Sequence, residues 1–197
     1  MDKDLLSIQQ VRDLLKAAKT AQAIYAEFTQ EQVDKVVEAM SMEVRKYAEK
    51  LAKMANEETG FGKWQDKVIK NKFAAEIVYE SIKGMKTIGI LGEKDSVMDV
   101  AVPVGVVAGL IPSTNPTSTV IYKTLISLKA GNGIIISPHP NAKKCIIETV
   151  EILKRAAYGA GAPEGLIGVI EIPTMEATAE LMKHKDTALI LATGGEA

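Results

Sequence analysis

Cysteine and histidine are scarce in this chain, and their scarcity excludes several kinds of site. The 197 residues include one Cys, Cys145, and two His. A single thiol forms neither an intrachain disulfide nor a cysteine-based metal site. His139 and His184 are not spaced as a metal-binding pair, and neither an HExxH nor an EF-hand pattern occurs. We therefore expect no metal site in this chain.

An excess of charge of one sign and long apolar runs are also missing. Lys and Arg number 24 against 25 acidic residues, so the net charge offers no general attraction to nucleic acid or to an anionic membrane. No apolar run approaches the roughly 20 residues that cross a bilayer, and residues 1–4 lack the features of a signal peptide. With 47% hydrophobic residues available for one core, the composition predicts a globular cytoplasmic protein.

The informative part of the chain is a strand, helix and strand pattern between residues 102 and 140. Residues 105–111 are apolar and rich in β-branched side chains, and Thr117 begins a stretch of helical periodicity. Glycines at 131 and 133 end that helix, and residues 134–136 are three isoleucines, typical of a strand buried on both faces. The pattern predicts a βαβ unit with two parallel strands.

Two loops of this unit are candidate binding segments. Ligands of parallel sheets bind beyond the carboxyl ends of the strands, which here are residues 112–116 and 137–140. The small polar residues at the first of these ends are Ser113, Thr114, Asn115 and Thr117. Their hydroxyl, amide and main-chain N–H groups either cap the helix or face an anion, and the spacing alone leaves both interpretations open.

Helical periodicity dominates the residues before this unit. An amphipathic N-terminal helix is followed by one long predicted helix from a capping box at Thr29 to Gly60. A third helix is predicted over residues 67–83, and its apolar positions are Ile69, Phe73 and Ile77. The lysines and glutamates on the remaining helix faces are interpreted as solvated rather than as a binding patch.

The other predicted elements are short. Two strands lie on either side of a turn at residues 92–95 and span residues 86–91 and 97–102. After the βαβ unit, helix and strand alternate: helix 142–158, strand 166–171, a helix from the cap Thr174 to Met182, and a buried strand 188–192. The glycine cluster at 159–165 follows a helix and precedes a strand, the wrong order for a phosphate loop, so it predicts a helix stop and a turn.

Two further features have a functional and a structural interpretation. Thr193, Gly194 and Gly195 follow the last strand, where glycines let a pyrophosphate approach main-chain N–H groups, unless they are merely a flexible terminus. Cys145 fits a helical pattern as a small packed residue, and a nucleophilic role would need a nearby base that the sequence does not offer. We therefore expect Cys145 to be structural.

Several motifs, in one order along nearly the whole chain, resemble the CoA-acylating aldehyde dehydrogenases. They are ANEETGFGKWQDKVIKNKFAAEIVYESIK, VPVGVVAGLIPSTNPTSTVIYKTLISLKAGNGIIISPHPNAKK, AGAPEGLIGVIEIP and LILATGG. The likeness is to the aldehyde half of bifunctional aldehyde-alcohol dehydrogenases and to acylating succinate-semialdehyde dehydrogenases. It implies an α/β, aldehyde-dehydrogenase-like fold: N-terminal helices (1–84), strands of an oligomerisation region (85–103) and a Rossmann-like, parallel βαβ NAD-binding portion (104–197) that stops before the catalytic domain.

The resemblance also implies a reaction, in which an aldehyde, CoA and NAD are reversibly converted to an acyl-CoA and NADH. The nucleophilic Cys is expected beyond residue 197, so the chain alone should be inactive. The implied cofactor contacts are Ile111, Pro112, Ser113, Thr114, Asn115, Ser137, Pro138, His139, Pro140, Thr193, Gly194 and Gly195. Small aldehydes or acyl-CoA and further copies of the chain are the implied partners. A non-catalytic α/β binding or assembly module is the alternative function.

Two departures from non-acylating aldehyde dehydrogenases limit the transfer of residue roles. Those relatives place the oxyanion-donating Asn directly after Pro-Trp, a position that Thr114 occupies here, so either Thr114 or Asn115 is the donor. They also carry a Lys near the adenosine ribose where this chain has Ser137. Since a 2′-phosphate normally requires a cation, NAD is expected rather than NADP.

Overall fold

The computed structural model describes residues 2–193 as a helical N-terminal half, a β-hairpin and an alternation of strands with helices. The first half contains α1 (Lys3–Tyr25), α2 (Gln30–Val44), α3 (Ala48–Thr59), α4 (Trp64–Lys72) and α5 (Val78–Ile82). The hairpin consists of β1 (Gly89–Lys94) and β2 (Val97–Ala101). The alternating part contains β3 (Val106–Leu110), α6 (Pro116–Lys129), β4 (Gly133–Ser137), α7 (Lys143–Gly159), β5 (Ile167–Val169), α8 (Met175–Lys183) and β6 (Thr187–Leu191). None of the helices in this described range is long and apolar enough to cross a membrane.

The second half forms a parallel sheet with the strand order β5, β4, β3, β6. The βαβ prediction is confirmed, since β3 and β4 pair in parallel with Val107 opposite Ile134 and α6 between them. All five residues of β4 are buried, as the run of isoleucines predicts. The four strands therefore end at one common edge.

Helices cover both faces of this sheet because the strand side chains alternate in direction. Val107, Ile134 and Ile136 pack into the larger core with α2, α6 and α7. Val106, Ala108 and Ile135 face the opposite way and pack against α1 and α8. Each isoleucine buried in this manner contributes about 1.5–3 kcal/mol. The result is a three-layer arrangement, consistent with the α/β fold with a parallel sheet that the sequence predicts.

The prediction of one long helix from Thr29 to Gly60 was wrong in its middle. The capping box at Thr29 and Gln32 and the left-handed Gly60 at the end are confirmed. Between them, a 3₁₀ turn, Arg45–Tyr47, separates α2 from α3. No Gly or Pro marks this bend, so its cause is tertiary: the buried Asn71 amide donates to the Ala48 carbonyl where α3 begins.

The third predicted helix is present, but a different face of it is buried from the one predicted. A π-helical turn, Phe73–Ile77, joins α4 to α5. The presumed apolar positions Ile69, Phe73 and Ile77 are 68%, 56% and 53% exposed. The buried face instead carries Lys67, Asn71, Ala74 and Ala75. Periodicity identified the helix, but the small and polar residues make its contacts with the body.

Two strand predictions were also wrong in detail. The hairpin turns at Asp95 and Ser96, both at positive φ, and not at residues 92–95, because a tight two-residue hairpin turn needs left-handed backbone at both central positions. Gly92 lies within β1, next to a bulge at Leu91. β6 is not buried: residues 188–190 are exposed, since β6 is an edge strand of the described sheet.

Candidate functional site

The candidate site is the edge of the sheet at which β3, β4 and β6 end. Leu110 is opposite Ser137 in the β3–β4 register, and Gly109 is opposite Leu191 in the β3–β6 register. The segments that follow, residues 111–115, 138–140 and 192–193, therefore lie side by side. All predicted binding residues up to Thr193 belong to this edge, while Gly194 and Gly195 lie outside the described residues.

The loop from Ile111 to Asn115 extends β3 and then starts α6. Ile111 is buried, and its N–H donates to the Ser137 carbonyl at 3.1 Å. Asn115 occupies the N-cap position of α6, yet no side chain caps this helix, and Pro116 is its first residue. The capping interpretation is therefore not realised. Thr117 is turned inwards, where its hydroxyl donates to Asn71 Oδ1 at 2.7 Å, so it faces no ligand.

Three lysines from α4 and α6 hold this loop, and none of them was identified from the sequence. Lys123 Nζ donates to the Leu110 carbonyl at 2.7 Å and to the Leu191 carbonyl at 2.6 Å. Lys67 Nζ donates to the Thr114 carbonyl at 2.7 Å, and Lys70 Nζ to Asn115 Oδ1 at 2.8 Å. Only Lys123 gave a signal, because it interrupts the apolar periodicity of its helix, whereas the apolar positions predicted for the helix of Lys67 lie on another face.

Burial alters the acidity of the two inner lysines. Lys123 is 0% exposed and Lys67 is 5% exposed. Burial lowers the pKa of Lys123 to about 8. Burial, together with the neighbouring Lys70 ammonium, lowers the pKa of Lys67. Among residues 2–193, no carboxylate forms an ion pair with either group, so the edge is electropositive.

The contact with Lys70 determines which way the Asn115 amide points. An ammonium group is only a donor, so the Asn115 atom that it contacts must be the oxygen. The amide nitrogen is then turned away from Lys70 as a donor. Thr114 contributes an exposed side chain beside it. Both candidate oxyanion donors thus remain at this edge.

The second loop is less accessible than the sequence suggests. Ser137 is 4% exposed, and its hydroxyl shares a 3.0 Å hydrogen bond with that of Thr178 on α8. Pro138 is buried, and Pro140 is exposed. His139 Nδ1 accepts from the Asn141 N–H at 3.1 Å, which leaves Nε2 as the ring nitrogen available to a ligand. Thr178 therefore also belongs to this edge, although nothing in the sequence singled it out.

Thr193 and Cys145 complete the set of predicted residues. Tyr122 on α6 donates to Thr193 Oγ1 at 3.4 Å, so Thr193 lies near the first loop. Cys145 is 0% exposed, and burial, with the nearby Glu58 carboxylate, raises the pKa of its thiol. The expectation that Cys145 is a packed helix residue is confirmed.

Known proteins resemble the chain over almost its whole length. A statistical model of the aldehyde dehydrogenase family matches residues 5–197. Bifunctional aldehyde-alcohol dehydrogenase AdhE of Escherichia coli K12 is 48% identical over 191 residues, 96% of this chain and 21% of that protein.

Solved structures extend the likeness to three dimensions. A probable aldehyde dehydrogenase from Listeria monocytogenes EGD-e is 62% identical with a TM-score of 0.98, over 100% of this chain and 44% of that one. An acetylating aldehyde dehydrogenase from Geobacillus thermoglucosidasius is 57% identical with a TM-score of 0.97, over 98% of this chain and 43% of that one. The chain therefore spans less than half the length of each of these relatives.

Proposed function

The chain belongs to the aldehyde dehydrogenase family, as its motifs predict, and we propose that it forms the NAD-binding part of a CoA-acylating member. The reaction is the reversible conversion of an aldehyde, CoA and NAD into an acyl-CoA and NADH. The observation that carries the proposal is the shared strand edge at residues 111–115, 137–140 and 192–193. These segments contain no acidic residue and adjoin the uncapped N-terminus of α6 and three lysine ammonium groups.

Such an edge suits the phosphates of a dinucleotide. An uncapped helix N-terminus presents unsatisfied N–H groups and the positive end of the helix dipole. Bound NAD would supply the hydride acceptor. Ser113, Asn115 and Thr193 would contact it, and Pro138 and His139 would border the adenosine. The aldehyde itself would bind in a part of the active site that lies outside this sequence.

Asn115 is the oxyanion donor that the geometry favours over Thr114. Negative charge develops on the aldehyde oxygen when a cysteine thiolate adds to the carbonyl. A donor held in place beforehand stabilises that charge most effectively, and Lys70 holds the Asn115 amide by its oxygen, which leaves the nitrogen as a donor. The buried Cys145 is not the nucleophile, so the thiolate must come from a residue outside the 197.

We further propose that NAD is preferred to NADP. Residues 137–142 contain no Lys or Arg, and the Ser137 hydroxyl is already hydrogen-bonded to Thr178. A 2′-phosphate near this strand end would therefore find no cation among residues 137–142. A cytoplasmic location also remains a prediction from the sequence.

Titration of the chain with NAD and NADP, followed by calorimetry and by NMR of the ¹⁵N-labelled protein, tests the binding proposal. We expect weak NAD binding, with a dissociation constant of about 1 mM, weaker NADP binding, and shifts confined to the three strand-end segments. Ser113→Trp should block binding because it fills the edge, whereas Ser81→Trp, at an exposed position on α5, should not. Saturable binding that maps to α1–α3 would refute the assignment.

A second proposal concerns assembly through the hairpin. Every residue of β1 is exposed, although Ile90 and Leu91 are large and apolar. An exposed two-stranded ribbon needs a further strand or surface to pair with. We propose that β1 and β2 join copies of the chain into a homo-oligomer.

A further inference from the structure

Two buried ammonium groups beneath the strand ends add positive charge to the proposed phosphate site, but that role alone does not require their burial. Lys123 and Lys67 are 0% and 5% exposed, and neither forms an ion pair among residues 2–193. Taking an ammonium group out of water costs several kcal/mol unless a partner compensates it. A methionine of similar length would avoid that cost. Simple packing therefore does not account for either residue.

Lys129 shows what an ordinary buried lysine looks like in this chain. It lies on α6, the same helix as Lys123, and it is 2% exposed. Its ammonium pairs with the Asp34 carboxylate and donates to the Lys83 carbonyl. Lys129 is near the opposite end of α6 from the binding edge, so its burial is explained by its ion pair alone.

Lys123 adds a side-chain link at the point where the β3–β6 ladder ends, beside Gly109 and Leu191. Its Nζ donates to the carbonyls of Leu110 and Leu191, the last residues of β3 and β6. Lys123 therefore connects the first of the following loops, residues 111–115, to the second, residues 192–193, at the residues where they begin. Removing the ammonium leaves two carbonyl groups without their donor, so both loops should loosen together.

Lys67 determines the orientation of the peptide between Thr114 and Asn115. In a trans peptide, the C=O of one residue and the N–H of the next point in opposite directions. Lys67 holds the Thr114 oxygen from below at 2.7 Å, so the Asn115 N–H is turned to the other side. No acceptor for that N–H is found within residues 2–193. The amide nitrogen of Asn115, whose oxygen is held by Lys70, is a second donor from the same residue.

We propose that Lys67 and Lys123 are positioning residues that hold the two strand-end loops in a fixed relation, with both donors of Asn115 presented to the ligand. The identity of that ligand rests on the proposed function, but the positioning itself does not. The buried charges are placed where main-chain carbonyls of the loops need donors. They act through Asn115 and the loop backbone and need not touch substrate or cofactor.

Backbone ¹⁵N relaxation of the ligand-free chain tests the positioning directly. In the original chain we expect order parameters of about 0.85 at Ile111 and residues 113–115. Lys67→Met should lower them below about 0.6 at residues 113–115 only, and Lys123→Met should lower them at Ile111 and residues 192–193 together. Lys67→Arg, which keeps a cationic donor, should restore the original values.

Lys129→Met is the matched control, since it removes a buried ammonium from the same helix without touching either loop. It should leave the order parameters of both loops unchanged. If the Lys67→Met chain does not fold, Lys67→Gln retains a neutral donor and should show the same local loosening to a smaller degree. Unchanged loop order parameters in folded Lys67→Met and Lys123→Met chains would overturn the proposal.

NAD titration of the same variants separates this inference from the proposed function. If both hold, Lys67→Met and Lys123→Met should weaken NAD binding about tenfold, as expected when a supporting contact behind a ligand-binding residue is lost. Loosened loops in a chain that never binds NAD would leave the positioning intact and refute the cofactor assignment. Full NAD affinity in the variants would refute a role for positioning in binding.

Discussion

Lys123 links the stability of the fold to pH because its charge is buried. Burial lowers its pKa to about 8 from the ordinary 10.5. Between those pH values the unfolded chain binds more protons than the folded chain, so the free energy of unfolding rises with pH. Below pH 8 the lysine is charged in both states, and the folded state retains the full cost of burying it.

Lys123→Met removes this dependence. We expect the free energy of unfolding of the variant, minus that of the original chain, to fall as the pH rises from 7 to about 10. Urea unfolding at several pH values measures it, with Lys129→Met as the buried-lysine control. A difference that stays constant over this range, once the control is subtracted, would contradict the buried charge.

The thiol of Cys145 should be unreactive towards alkylating reagents in the folded chain. Burial and the Glu58 carboxylate raise the pKa of its thiol, so almost no reactive thiolate is present at pH 8. We expect iodoacetamide to leave Cys145 unmodified unless urea is added, as followed by mass spectrometry. Cys145→Ala should cost about 1 kcal/mol of stability and leave NAD binding unchanged. Rapid alkylation without urea would show that the helix opens.

At the scale of secondary-structure elements, the N-terminus of α7 is capped by a side chain from another helix. Its N-cap residue, Ala142, has no capping side chain. The Glu58 carboxylate at the end of α3 instead accepts from the N–H groups of Lys144 and Cys145, at 2.7 and 2.8 Å. The negative charge also complements the positive end of the helix dipole. This contact joins the helical half to the βαβ half.

Glu58→Ala should therefore destabilise the chain by about 1–2 kcal/mol, the usual effect of losing a helix cap. Urea unfolding monitored by circular dichroism measures the loss. Glu57→Ala is the control, because Glu57 is an exposed neighbour on the same helix and should change stability by less than about 0.5 kcal/mol. Equal effects of the two substitutions would argue against the capping role.

At the scale of the whole molecule, the proposed assembly depends on the exposed hairpin. Val97 and Val100 of β2 are 63% and 50% exposed and lie opposite Lys94 and Ile90 of β1, so charges placed there disturb only contacts within the hairpin. We expect Val97→Lys with Val100→Lys to convert an oligomer into a monomer in sedimentation velocity, with little change in thermal stability.

Met175→Lys is the control for that experiment, since Met175 is 82% exposed on α8 and lies outside the hairpin. It should leave the sedimentation coefficient unchanged. An original chain that is monomeric at high concentration, or variants that remain associated, would contradict assembly through β1 and β2.

The sequence alone determined the elements whose signals are local. The isoleucine run predicted β4, the glycines predicted the end of α6, and the Thr29 box predicted the start of α2, because turn and cap preferences act over a few residues. The βαβ pattern likewise placed residues 112–116 and 137–140 at strand ends.

Tertiary structure alone decided which polar groups are buried and which groups they form hydrogen bonds with. The sequence treats Lys67, Lys123 and Glu58 as surface charges. Lys67 bonds to a residue 47 positions away along the chain, and Lys123 to residues 13 and 68 positions away. Glu58 bonds to residues 86 and 87 positions away. Tertiary structure also decided that the apolar face at Ile69 is exposed. Helical periodicity indicates that one face of a helix is apolar, but not which surface that face contacts. Contacts between groups far apart in sequence form only when the folded chain brings them together.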